Sequence, residues 1–144
     1  MQIINMKQRN LISNKGKNIK EVVLLKPNIF EDERGFFYES CNLIELKNIL
    51  SREVYFNQDN HSFSKKGVLR GIHYQLNPCP QAKLIRCVKG IIFDVAVDLR
   101  KNSETFGEWV SAELTEHNHE QLWIPEGFGH GYLTISSEAI VLYK

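Results

Sequence analysis

An all-β fold is predicted for this chain, a β-sandwich or barrel of the jelly-roll kind carrying one short helix. Three observations point there. Short runs rich in β-branched and aromatic residues recur at about 8–12-residue spacing with turn residues between them. Only one segment shows a helical period. At 144 residues the chain has the length of one compact domain, and the mouth of a jelly roll can hold a small ligand.

Residues 1–20 are polar, without a clear period, and are expected as a flexible N-terminal arm; the jelly-roll domain is expected over 21–144. Glu21 to Leu25 is apolar and β-branched, and Pro27-Asn28 ends it. Asp32-Glu33-Arg34-Gly35 makes a turn into Phe36-Phe37-Tyr38-Glu39, where alternate residues share a face. Asn42 caps a helix over Leu43 to Leu50, with Leu43, Leu46, Ile49 and Leu50 on its inner side. Strands then follow over Glu53 to Gln58, Val68 to Gln75, Lys83 to Val88, Ile91 to Leu99, Trp109 to Leu114, Gln121 to Ile124, Gly131 to Ile135 and Ala139 to Tyr143. The clearest alternation puts Ile91, Phe93, Val95, Val97 and Leu99 on one face and Asp94, Ala96 and Asp98 on the other. Lys89-Gly90 ahead of it reads as a tight hairpin turn.

Composition narrows the function classes. Hydrophobic residues make up 42% and aromatic residues 10% of the chain, which argues against disorder. A formal charge of +1 with scattered basic residues offers no footprint for nucleic acid. The chain has neither the apolar core of a signal peptide nor a membrane-spanning stretch, so a cytoplasmic location is expected. Cys41, Cys79 and Cys87 are odd in number and lack zinc-ligand spacing, as expected of reduced thiols.

The chemistry concentrates in two segments. In Val68-Leu69-Arg70-Gly71-Ile72-His73-Tyr74-Gln75 a cation, a glycine and an imidazole interrupt a strand. An isolated strand histidine is more often a packed one. Gly71, however, weakens a strand interior unless a bulge or close approach needs it. A bulge there would bring Arg70 and His73, otherwise on opposite faces, to one cavity. His73 is then a candidate general base for removing a proton next to a carbonyl. Lys83, facing a cavity beside Ile85 and Cys87, could stabilise an enolate oxygen, although a lysine at a strand start is more often solvated. The second segment, Pro125-Glu126-Gly127-Phe128-Gly129-His130, forms a rigid turn that delivers His130 to the next strand. It resembles the second motif of the cupin superfamily, whose histidine often binds metal. The paired histidines of the first cupin motif are missing, so a metal-free pocket fits the residues better than a metal site. Tyr143 is a candidate phenolic acid or an edge aromatic. Arg34, Arg70, Glu39, Gln58 and Asn60 are of types that grip a nucleotide diphosphate or pair with a base. Asp59 and Asp94 stay outside the catalytic set.

These motifs together resemble the dTDP-4-dehydrorhamnose 3,5-epimerase family. The resemblance runs through Asp32-Glu33-Arg34-Gly35-Phe36-Phe37-Tyr38-Glu39-Ser40, Gln58-Asp59-Asn60-His61-Ser62, Val68 to Gln75, Lys83 to Cys87, Phe93 to Asp98, Leu122 to Phe128 and His130-Gly131, in order and with matching gaps. It implies a cupin-type jelly roll, a homodimer and an isomerase without metal or organic cofactor. The activity implied is inversion of C3 and C5 of dTDP-4-dehydro-6-deoxy-D-glucose, on the way to dTDP-L-rhamnose for polysaccharide. By the same resemblance His73 is the base, Tyr143 the acid on the opposite face and Lys83 the enolate stabiliser. His130 contacts the sugar, Arg34 and Arg70 hold the diphosphate, and Glu39, Gln58 and Asn60 surround the nucleotide.

The family continues for some tens of residues beyond Leu142-Tyr143-Lys144. The resemblance therefore implies a domain incomplete at its C-terminus, without the aspartate that pairs with the base histidine. Two further functions stand beside the epimerase at this point: a catalytically impaired sugar-nucleotide-binding remnant, and a metal-dependent cupin enzyme.

Overall fold

The computed structural model describes residues 6–144. Its elements in chain order are β1 (Lys7–Ile12), β2 (Asn18–Lys26), β3 (Phe30–Asp32), β4 (Gly35–Phe37), α1 (Leu43–Leu50), β5 (Asn60–Lys65), β6 (Leu69–His73), β7 (Lys83–Lys89), β8 (Ile91–Asp98), β9 (Trp109–Thr115), β10 (Gln121–Ile124), β11 (Phe128–Thr134) and β12 (Glu138–Tyr143). One antiparallel sheet has the order β1-β2-β10-β7-β12-β5 and a second the order β6-β11-β8-β9. Strands β3 and β4 form a separate small hairpin.

Side chains of both sheets close a core containing Val22, Leu24, Ile85, Ile92, Val110, Leu114, Leu122 and Val141. A second cluster lies beneath α1, where Leu46 packs with Val23, Leu25, Val54, Leu84 and Trp123. Strand β10 serves both clusters, through Leu122 and Ile124 on one side and Trp123 on the other. This explains why its four residues are all buried although the strand is short. The helix has the predicted bounds. The Asn42 side chain accepts hydrogen bonds from the amides of Ile44 and Glu45 at 3.0 and 3.2 Å, satisfying donors that a helix start leaves unpaired. Leu43, predicted on the inner side, is instead half exposed.

The expected loose arm is corrected from Met6 onward; residues 1–5 of it lie outside the described residues. Residues 7–12 and 18–26 pair as a hairpin that extends the larger sheet. Among the described residues before Glu21, only Met6, Leu11 and Ile19 are buried hydrophobics, so the segment carries little apolar signal. Polar anchors supply the rest. The Ser13 hydroxyl donates to Glu108 at 2.6 Å, Lys17 lies 3.3 Å from the same carboxylate, and the Asn14 side chain accepts from the Trp109 amide at 3.0 Å. Two further differences involve strands. Residues 53–58, expected as a strand, are irregular, whereas β5 begins at Asn60.

In β8 the alternation is as predicted, but the buried face is the unexpected one. Ile92, Asp94, Ala96 and Asp98 point inward, and Phe93 is exposed. Apolar burial alone would choose the opposite face. The two inward carboxylates must therefore be met by specific partners. Asp98 is held by Arg100, Ser103 and Thr105; Asp94 belongs to the site described next.

Candidate active site

A cavity of about 460 Å3 opens between the sheets, bordered by Arg70, His73, Lys83, His130 and Tyr143, with Gln58 and Asn60 also in its wall. Its volume lies in the range typical of small-molecule sites. Seven of the predicted site residues thus converge from β5, β6, β7, β11, β12 and the segment before β5.

The meeting of Arg70 and His73 depends on an irregularity. His73 pairs with His130, and Arg70 pairs with Tyr132. Three steps along β6 therefore match two along β11, the bulge that the Arg-Gly-x-His pattern predicted. Gly71 adopts φ +116°, and a Cβ there would fall 2.6 Å from both the Gly131 Cα and the His130 carbonyl oxygen. The two strands can approach this closely only at a glycine.

Several side chains are fixed from behind. The Arg70 Nε donates to the Ser64 hydroxyl at 2.8 Å, and its Nη2 donates to the Phe63 carbonyl at 3.0 Å. The buried Tyr132 hydroxyl lies 2.9 Å from Ser62 Oγ and 3.2 Å from Ser64 Oγ. Together these contacts tie the guanidinium to β5 across the gap between the sheets. Lys83 shares a strand face with Ile85 and Cys87, as predicted, and its Nζ donates to the His73 carbonyl at 3.4 Å. Partial burial lowers the Lys83 pKa, and the Asp94 charge pulls it back upward. The Asn60 amide donates to the Tyr143 carbonyl at 3.3 Å, and Gln58 donates to Asn60 at 2.7 Å. No side-chain hydrogen bond holds the His73 imidazole among the described residues.

Arg34 and Glu39 do not reach this cavity within the chain. Arg34 sits in the exposed β3–β4 turn, where it donates to Asp32, and Glu39 accepts from the Asn42 amide at 3.3 Å. Conversely, sequence reasoning left out groups that line the cavity or contact its lining. Arg52 pairs with Glu126 at 2.7 and 2.9 Å and lies 5.9 Å from the Trp123 ring centroid, making one wall. Asp94 is fully buried and lies 2.6 Å from His130 Nε2. Its only hint in the sequence was a carboxylate spaced two residues from Ile92 and from Ala96. Among the described residues no group of three or more His, Cys, Asp or Glu side chains is placed to hold a metal ion, and no helix is long and apolar enough to cross a membrane.

Fold and cavity together define an all-β jelly-roll protein of the cupin type, with candidate acid–base groups between its sheets. Comparison with known proteins narrows this class. Residues 16–144 match the family described as dTDP-4-dehydrorhamnose 3,5-epimerase. The chain is 56% identical over 126 residues to the dTDP-4-dehydrorhamnose 3,5-epimerase of Shigella flexneri, covering 88% of this chain and 70% of that protein. The crystal structure of the dTDP-4-dehydrorhamnose 3,5-epimerase from Elizabethkingia anophelis superposes with a TM-score of 0.87 at 42% identity, covering 97% of this chain and 73% of that one. A Legionella pneumophila dTDP-6-deoxy-D-glucose-3,5-epimerase, solved in complex with dTDP-4-keto-L-rhamnose, gives 0.86 at 43% identity over 96% of this chain and 71% of that one. The chain belongs to the dTDP-4-dehydrorhamnose 3,5-epimerase family.

Proposed function

We infer that the protein epimerises C3 and C5 of dTDP-4-dehydro-6-deoxy-D-glucose, giving dTDP-4-dehydro-L-rhamnose in dTDP-rhamnose biosynthesis. The observation that carries the catalytic assignment is that His73 and Tyr143 border one cavity from strands of opposite sheets. A sugar held between the sheets meets an imidazole on one face and a phenol on the other.

The chemistry follows from the C4 ketone, which acidifies the C–H bonds on both sides of it. His73 takes the proton from one of these carbons, and the electron pair of the broken C–H bond moves onto the C4 oxygen as an enolate. The Lys83 ammonium stabilises that charge. When the carbonyl re-forms, the carbon takes a proton from the Tyr143 hydroxyl on the opposite face and its configuration is inverted. Solvent restores the phenol and accepts the imidazolium proton, after which the second carbon reacts in the same way. No electrons are gained or lost overall, so the balance needs no redox cofactor.

Arg70 grips the diphosphate, His130 contacts the sugar, and Gln58 and Asn60 meet the nucleotide; all four line the cavity, which supports this reading. The dTDP-sugar bound to the Legionella relative supports this class of ligand. Arg34 and Glu39 keep their nucleotide assignment only if a second copy brings them to the cavity, which accords with a homodimer. A nucleotide-activated sugar as substrate suits a cytoplasmic setting.

Proton NMR in deuterated water tests the reading directly. The protein is expected to wash deuterium into C3 and C5 of the 4-keto sugar nucleotide. Binding without exchange above background would make it a binding remnant and overturn the catalytic claim. His73→Ala should abolish exchange at both carbons; exchange that persists would reject His73 as the base.

A further inference from the structure

Asp94 raises a question that packing does not answer. Its neighbours on the inward face of β8 are Ile92 and Ala96, which are wholly buried, as is Asp94. An aliphatic side chain would fit such a position without the cost of desolvating a carboxylate. Only one of its oxygens is met: Oδ1 lies 2.6 Å from His130 Nε2, while Oδ2 has no hydrogen-bond partner among the described residues. Buried polar atoms left in this state are uncommon and concentrate where chemistry is done.

The groups around it are those of the cavity. Tyr132 stands directly opposite Asp94 in the ladder, and His130 is two residues before it on the same strand. Burial pushes the Asp94 carboxyl up from its ordinary value, while the charge of His130, its hydrogen bond and the charge of Lys83 draw it down. Both His130 and Lys83 face the cavity.

We propose that Asp94 is a positioning residue for the epimerisation: it keeps the His130 Nε2–H committed to its own Oδ1 and sets its negative charge behind Lys83, so that the ammonium and the imidazole are presented together to the C4 oxygen. The inference rests on the proposed reaction and adds a prediction which that reaction alone does not make. Removing a proton from C3 or from C5 puts charge on the same oxygen. A group that acts through Lys83 and His130 must therefore affect both carbons equally. A defect in the base, the acid or the placement of the sugar has no such requirement.

The nearly isosteric Asp94→Asn variant tests this. Its kcat is expected to fall about 10- to 100-fold, the range lost when a carboxylate that orients a metal-bound histidine is removed, with KM within about threefold of the parent. Deuterium exchange at C3 and at C5 should fall by the same factor. Nitrogen-15 NMR of the unsubstituted protein should show the His130 hydrogen on Nε2, and this signature should change in the variant. A kcat within threefold of the parent, unequal losses at the two carbons, or a rise in KM alone would overturn the proposal. So would a His130 that carries its hydrogen only on Nδ1 in the unsubstituted protein. That spectrum requires neither turnover nor a folded variant. It decides the Asp94–His130 relationship even if Asp94→Asn does not fold, or if the parent shows no exchange and the proposed function fails.

Discussion

Arg70 and His73 border the same cavity although they lie three positions apart on β6, a spacing that in a regular strand sends side chains to opposite faces. The bulge opposite His130 and Tyr132 corrects the parity, and it does so at the point where Gly71 lies against the backbone of β11. The proposed diphosphate-binding residue and the proposed base thus depend on one backbone irregularity that contains neither of their side chains.

Gly71→Ala should separate these two consequences of the bulge from ordinary surface tolerance. The new methyl group would sit 2.6 Å from two backbone atoms of β11, at a φ of +116° that side-chain-bearing residues avoid. The variant is expected to lose roughly 2 kcal/mol or more of stability, and to lose exchange activity to a greater extent than unfolding explains. Urea denaturation and deuterium exchange measured on the same sample check this. Activity like that of the parent would show that the bulge does not set the site.

Asp98 supplies a prediction about stability alone. Burial by itself would raise its carboxyl, but hydrogen bonds from the Arg100 side chain, Ser103, Thr105 and the Arg100 amide outweigh burial and hold it far below the usual carboxylate range. The Ser103 and Thr105 hydroxyls both donate at 2.6 Å, and Arg100 Nη2 donates at 2.7 Å. With the folded pKa below the unfolded one, the carboxylate contributes stability above the unfolded value of about 4. That contribution fades as pH falls towards the folded value. Asp98→Asn should therefore cost roughly 3 kcal/mol at neutral pH, and the gap to the parent should narrow on descending from pH 5 to pH 3. Urea unfolding across that range measures the gap; a difference that stays constant with pH would assign the loss to shape rather than charge.

Legibility followed the kind of force involved. The helix over 43–50 could be read because Asn42 and the spacing of Leu46, Ile49 and Leu50 are local signals, and β10 because Leu122, Trp123 and Ile124 are apolar wherever they point. Arg-Gly-x-His was readable as a bulge because glycine inside a strand has few other uses. The β1–β2 hairpin was hidden because Ser13, Asn14 and Lys17 find their partners almost a hundred residues away, and no local pattern encodes that. The burial of Asp94 was hidden for a related reason. Alternation shows which residues share a face, but the burial of the acidic face of β8 becomes visible only when His130 and Arg100 are seen to meet its carboxylates. Arg34 and Glu39, convincing as motif residues, lie away from the cavity of their own chain, and sequence similarity does not say which copy a side chain serves.

The burial of the acidic face of β8 leaves its apolar face outside. Leu69, Leu133 and Phe93 pair across β6, β11 and β8 as one row; Leu69 is 69% and Phe93 38% exposed. Ile72, 50% exposed, lies over Gly129 and Gly131, where added Cβ atoms would meet it. Contiguous apolar surface of this kind marks an interaction site more often than it marks a free face. With β6 as an edge strand of its sheet, a second copy is the occupant that accords with the proposed homodimer. Sedimentation at micromolar concentration should give the mass of two chains, and the double variant Ile72→Asp, Phe93→Asp should give the mass of one. Both side chains point away from the core, so the double variant should keep the circular dichroism of the parent. A parent that sediments as a monomer would remove the homodimer, and a double variant that remains dimeric would move the interface elsewhere. If the variant becomes monomeric and also loses affinity for the dTDP-sugar, Arg34 and Glu39 gain their place as nucleotide ligands supplied by the neighbouring copy.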